Sequence, residues 1–188
     1  MKPIRTERLL LRNWEERDRD LFHRINSDDD VMKFFGFRRN RASSDALMDR
    51  LRADIEARGF GLAAVELPIS RETIGFVGLN PAALPGILPD DAMEIGWRMA
   101  PEHWGKGFAT EAAQAWLAIA FRTLGLDEVV SLAVWNNARS IAVMERIGMK
   151  RDTGGDFDHP YVAEPGLRRH VIYRLPRRAW SNARKVAV

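Results

Sequence analysis

From Phe108 to Leu124 the apolar positions fall on one helical stripe. Ala109, Ala112, Ala113, Trp116, Leu117, Ala120 and Leu124 share a side, and Glu111, Gln114, Ala118 and Arg122 lie opposite. The pattern predicts a long amphipathic helix, with Gly125 as its left-handed stop. Ala92 to Met99 precedes it as a strand, so the order is strand, glycine-containing turn, helix. That order aims the helix's first backbone N–H groups at the turn, where an anion can sit.

The rest of the chain alternates in the same way. Thr6 to Trp14 predicts a first strand with Leu9 and Leu11 on one face. A helix carrying Leu21, Phe22 and Ile25 on one side follows, and Ser27 to Asp30 breaks it. Ser44 to Arg58 predicts a second helix, with Leu47, Met48, Leu51 and Ile55 at helical spacing and a stop at Gly59. Phe60 to Leu67 and Thr73 to Leu79 predict a strand pair joined by a hairpin-like connection. Asn80 to Asp91 holds three prolines and a glycine and predicts a loop.

After the long helix come a strand (Glu128 to Trp135), a short helix (Ala138 to Ile147, stopped by Gly148), and a strand from Met149 to Asp152. A polar loop from Thr153 to Leu167 and a last strand, Arg169 to Leu175, complete the series. The sum is an α/β, or α+β mixed, sheet. With no repeat and no low-complexity linker, residues 1–176 are expected to form one domain and residues 177–188 a C-terminal tail.

Composition narrows the chemistry. A chain of 188 residues with 46% hydrophobic content suits one domain with a full core. It has no apolar run of about eighteen residues, and its charged start, MKPIRTERLLLRNW, lacks a signal-peptide core. The cytoplasm is the expected compartment. The absence of cysteine excludes a thiol nucleophile and a Cys-type zinc site. His23, His103, His159 and His170 show no ligand spacing, so no metal is expected. The +3 net charge is spread among 26 acidic and 29 basic residues, without the clustered basic face of a nucleic-acid binder.

The turn itself is Trp104-Gly105-Lys106-Gly107-Phe108-Ala109-Thr110. A GxG alone reads as a tight turn. Here the flanking strand and helix add a phosphate-binding reading, because glycines let phosphates approach the main chain. Neither GxxxxGK[ST] nor GxGxxG fits, since Lys106 is followed by Gly107 and Gly107 by Phe108-Ala109-Thr110. The segment resembles the [QR]-x-x-G-x-[GA] acyl-CoA signature of the GNAT N-acetyltransferases, with Trp104 in the Gln/Arg position. The wording W-G-K-G-F-A-T-E-A is similar to the ribosomal-protein N-terminal acetyltransferase (RimJ/RimL-like) branch. Asn137 to Met149 resembles the second signature, N-x-x-[AS]-x-x-x-Y-x-[KR]-x-G-[FM]. Structurally, Asn137 there would also cap a helix and Gly148 end it.

The resemblance covers about Arg5 to Leu175. It implies a GNAT fold: a central mixed, mostly antiparallel sheet with a splayed parallel strand pair and flanking helices. It also implies acetyl-CoA as co-substrate, held by Trp104, Gly105, Lys106, Gly107, Phe108, Ala109 and Thr110, by main chain around Trp97 and Met99, and by Asn137 and Ser140. The other partner would be an amine acceptor, a small molecule or a protein N-terminus. A homodimer is common among relatives.

Acetyl transfer needs a neutral amine, so a base must take its proton. Glu94, on the central strand with Ala92, Gly96 and Arg98, is the candidate base; a structural pair with Arg98 is the other reading. The family's usual acid is a tyrosine, but Met144 holds that position, leaving Ser140 as substitute acid or as a cofactor and backbone contact. Phe34, Phe35 and Phe37 are read first as core packing and second as an acceptor wall. Asp156, Asp158, His159 and Tyr161 form a solvated loop or a lining suited to a cationic amine. A non-catalytic acyl-CoA sensor and a basic RNA- or ribosome-associated protein are the alternatives.

Overall fold

In the computed structural model, which describes residues 1–180, one nine-stranded sheet carries the chain. β1 (Ile4–Arg5) and β2 (Leu10–Arg12) form its edge, followed by β3 (Leu62–Leu67), β4 (Glu72–Pro81) and β5 (Met93–Met99). β6 (Glu128–Val134) stands beside β5, and then β9 (Arg169–Pro176), with the two-residue strands β7 (Lys150–Arg151) and β8 (Phe157–Asp158) both paired to β9. Every pairing is antiparallel except β5 with β6, which is parallel. This is the mixed, mostly antiparallel sheet that the resemblance implied.

β4 explains the layering. Its residues from Thr73 to Leu79 are all buried, so both of its faces are covered. On one, Phe76 stacks on Phe22 at 5.8 Å and meets Trp14 at 6.0 Å. Phe22 belongs to α1 (Arg19–Ser27), which packs with α2 (Arg41–Arg58) over β3 and β4. Asn40 caps α2 by accepting from the Ser43 N–H (2.9 Å), and Gly59 ends it at φ 77°. α3 (Phe108–Arg122) packs along β4, β5 and β6. Of its predicted stripe, Ala112, Ala113, Trp116, Leu117 and Ala120 are buried, and Phe121 joins them, with the Trp180 ring 5.3 Å away. α4 (Ala138–Arg146) and a short α5 (Pro165–Arg168) follow later in the chain. No helix among the described residues is long and apolar enough to cross a membrane.

Three expectations need correction. Thr6 to Trp14 is not one strand: the Thr6 N–H and hydroxyl bond back to Leu9, turning the chain between β1 and β2. The segment from Thr153 to Leu167 is not structureless, since it holds β8 and the start of α5. Phe35 and Phe37 are exposed rather than core, and the guanidinium groups of Arg98 and Arg39 lie over their ring faces, at 4.3 and 5.0 Å. The residues from 181 onward, most of the expected tail, lie outside the described residues.

A buried ionic cluster locks the edge strands to the centre. Arg12 donates twice to Asp18 (2.7 and 2.9 Å), to Glu66 (2.6 Å) and to the Thr73 hydroxyl, which itself donates to Asp18. Burial pushes the Asp18 carboxyl up, but Arg12, Thr73 and the Glu15 amide outweigh it and hold the group below its ordinary value. Its stabilising contribution is therefore present above the unfolded value near pH 4 and lost as pH falls through the folded one. Arg12→Met strands two buried carboxylates and is expected to cost about 3–5 kcal/mol of unfolding free energy. Urea denaturation at pH 7 measures this; a loss under about 1 kcal/mol would show that the cluster is not structural.

Candidate active site

The site begins where two parallel strands part. β5 and β6 are in register only at Glu94 and Val130. One residue further, the Ser131 hydroxyl crosses over and donates to the Ile95 carbonyl at 2.9 Å. β5 stays paired with β4 as far as Met99, and β6 with β9 as far as Val134. Each arm of the fork is thus held away from the other by its outer neighbour. Between them opens a cleft of about 1320 Å³, walled by Gly96 to Met99 and Leu132 to Val134. Its volume exceeds the roughly 300–1,000 Å³ that suits one drug-sized ligand, which leaves room for two substrates.

One end of the cleft is the start of α3. Gly105 and Gly107 sit at φ 73° and 80°, a region that strains any side chain with a Cβ. Around Gly105 nothing lies within 4 Å of where a Cβ would be, so the approach is open. Gly107 is the N-cap and no side chain caps the helix. The amides of Phe108, Ala109 and Thr110, all residues of the cleft lining, are therefore available to an outside acceptor.

Arg8 reinforces this end and was not singled out in the sequence. Its guanidinium donates to the Lys106 carbonyl (3.0 Å) and to Glu111 (2.7 Å), and lies 4.8 Å over the Phe108 ring. The Arg8 N–H and the Thr6 hydroxyl also bond Glu111, at 2.9 and 2.6 Å, tying the β1–β2 turn to α3. Lys106 itself is exposed and not part of the lining. No local pattern marks Arg8, because its partners are about a hundred residues away in sequence.

Across the cleft, Trp104 donates its indole N–H to the Met99 carbonyl (2.9 Å), and the Arg139 guanidinium covers its ring at 4.2 Å. Asn137 caps α4 by accepting from the Ser140 N–H (3.2 Å). The Ser140 hydroxyl lines the cleft with no protein partner among the described residues. Met144 is fully buried and turned into the core, so the position where the family's tyrosine would stand does not face the cleft.

Glu94 lies at the base of the fork, half-buried in the cleft lining. Burial raises its carboxyl to about 7, tempered by the backbone of Leu132. The alternative reading, an ion pair with Arg98, is not what forms: Arg98 donates instead to the Asn26 side-chain oxygen. Arg98 belongs with Phe34, Phe35, His159 and His170, which line the other half of the cleft. Burial lowers both His159 and His170 from the usual imidazole value; their rings lie 4.8 Å apart. The acidic residues of that loop are engaged elsewhere, Asp156 with Arg151 (2.6 Å) and Asp158 with Arg169 (3.5 Å). They do not make it an anionic lining.

One group of possible metal donors, Glu72, Glu102 and His103, converges within 4.8 Å. Glu102 is paired with Arg24 at 2.6 Å and Glu72 with His103 at 3.1 Å, so a protein ion-pair network accounts for it.

Comparison with known proteins places this architecture. YkkB of Bacillus subtilis, an uncharacterised protein, is 31% identical over 145 residues, 77% of this chain and 83% of that one. The FsC-acetyl coenzyme A-N(2)-transacetylase of Aspergillus fumigatus is 28% identical over 97% of this chain and 79% of its own. A GNAT-family acetyltransferase from Bacillus anthracis superposes with a TM-score of 0.77 at 26% identity, covering 94% of this chain and 99% of that one. The acetyltransferase (GNAT) domain family matches residues 8–150, and the chain, with its forked parallel strands and uncapped helix start, belongs to the GNAT N-acetyltransferases.

Proposed function

We propose that this enzyme transfers an acetyl group from acetyl-CoA directly to a primary amine, both substrates being bound together in the forked cleft. The observation that carries the reading is Glu94: a carboxyl held near 7 at the base of the fork, beside a cleft with room for two ligands. A base with such a value takes a proton at neutral pH without being too weak to hold it. The attacking amine loses its proton to Glu94, directly or through water, as the new C–N bond forms and the C–S bond breaks. The departing thiolate takes a proton from the Ser140 hydroxyl, which regains one from solvent as it gives its own, or leaves as the anion.

The uncapped amides of α3, the glycine turn and the cation of Arg8 suit the pyrophosphate of the co-substrate. The Aspergillus relative's name, which includes acetyl coenzyme A, supports that identity. The turn wording W-G-K-G-F-A-T-E-A favours the RimJ/RimL-like branch, with a protein N-terminus or a small amine as acceptor.

Thiol release from acetyl-CoA, followed with a panel of amines, tests the reading. Turnover with at least one amine supports it; tight CoA binding with no turnover on any amine would make the protein an acyl-CoA sensor instead. Ser140→Ala is expected to lower kcat by up to about a hundredfold, since a thiolate leaves with little help. An unchanged kcat in that variant would remove the serine from proton transfer.

A further inference from the structure

The acceptor half of the cleft contains a cation with no counter-charge among the described residues. Arg98 is in the wall, its guanidinium 4.3 Å from the Phe35 ring centroid and 5.3 Å from that of Phe76. Its one hydrogen bond among the described residues goes to Asn26, whose own amide is committed to the Phe22 carbonyl at 2.6 Å. The Arg98 Nε–H is buried and unpartnered. No carboxylate pairs with Arg98 among the described residues, whereas the half-buried Arg19 and Arg174 and the buried Arg12 each hold at least two. Arg39 adds like charge: it depresses Arg98 further, after burial, to about 10, and its own Nε–H is also buried and unpartnered.

Arg98 is half-buried in the cleft wall, and a guanidinium partly withdrawn from water is normally paired, because an uncompensated charge there is costly. The nearby acids do not serve. Glu94 is four residues along β5, roughly 13 Å of strand rise, and Asp29 is taken by Arg38 at 2.9 Å. Asp30 is exposed at the rim, where water screens it.

We propose that Arg98 is a specificity residue: the amine acceptor carries an anionic group, a carboxylate or an acid of similar charge, that docks on its guanidinium while the amine faces Glu94. This rests on the transferase reading above and adds the class of acceptor. A guanidinium presents parallel N–H donors to such a group, and the aromatic faces beside it exclude competing water. Cationic acceptors such as diamines would be repelled by Arg98 and Arg39 together.

The test compares matched acceptors. Glycine, 4-aminobutyrate and 6-aminohexanoate are assayed against their own amides and against 1,6-diaminohexane, with binding to the CoA-loaded protein measured by calorimetry alongside turnover. The inference expects the acid to exceed its amide in kcat/KM or affinity by at least about tenfold at one or more spacer lengths. It also expects the diamine to be the poorest. Arg98→Gln should bring that ratio to about one through the acceptor KM, with CoA affinity kept, and Arg98→Lys should restore part of it. A ratio below about tenfold at every length, or a preference for the diamine, overturns the proposal while leaving the enzyme reading standing. Acid-selective binding without any turnover would do the reverse.

Discussion

Glu94→Gln is expected to lower kcat at pH 7 by about a hundredfold to a thousandfold while acetyl-CoA still binds normally, the range typical of losing one general base. Glutamine keeps the size of the side chain and removes its proton-accepting capacity. The pH profile carries the sharper test. As the proposed base Glu94 would act as the carboxylate, and burial places its carboxyl at about 7, so kcat at saturating acceptor should rise through pH 7 and flatten above it. The variant should lose that inflection. A profile that keeps it would mean that another group takes the proton.

The same shift has a stability consequence with the opposite sign. Glu94's folded value lies above its unfolded one, so the folded protein binds more protons between about pH 4.5 and 7. Stability contributed by the neutral carboxyl is full below the unfolded value and is lost as pH rises through the folded one. Glu94→Gln is thus expected to be at least as stable as the parent at pH 8, in chemical denaturation, while far less active. On the proposed mechanism the base would be held at a cost in folding free energy.

Gly107→Val is expected to weaken CoA binding by at least about thirtyfold, or about 2 kcal/mol. Two effects combine. At φ 80° a β-branched residue is strained by about 1–3 kcal/mol, and its Cβ would lie 3.4 Å from the Arg8 guanidinium, on the surface where the phosphates are proposed to rest. Strain alone would destabilise the fold without touching affinity, so a matched control is needed. Gly86 has the same φ of 80°, with open space around it, in the loop after β4. Gly86→Val should carry a similar stability loss and bind CoA normally. Calorimetric affinities for the two variants decide the matter, and normal affinity in Gly107→Val would refute the assigned phosphate site.

Much of this was legible along the chain because it depends on neighbours in sequence. The stripe of α3 follows from helical period, the Asn137 cap and the Gly59 and Gly148 stops from local backbone chemistry, and the turn from its two glycines. Glu94 is picked out by its place on a strand ahead of that turn together with the family resemblance, which puts a strand glutamate near there. What local patterns misjudged were the segments whose partners are distant. The first strand broke at a turn closed by Thr6 and Leu9 and held from a distance by Glu111, and Phe35 lies against Arg98 outside the core.

The sequence by itself determined the order of strands and helices, the glycine turn before α3, and the residue types gathered around it, since each is set by interactions within a few positions. Only the tertiary structure decided that the β5–β6 ladder ends after a single pairing, that Met144 points inward while Ser140 faces the cleft, and that Arg98 stands without a carboxylate among the described residues. Those outcomes depend on which strands hold the fork from outside and which charges the folded chain happens to pair, and neither is written at any one stretch of sequence.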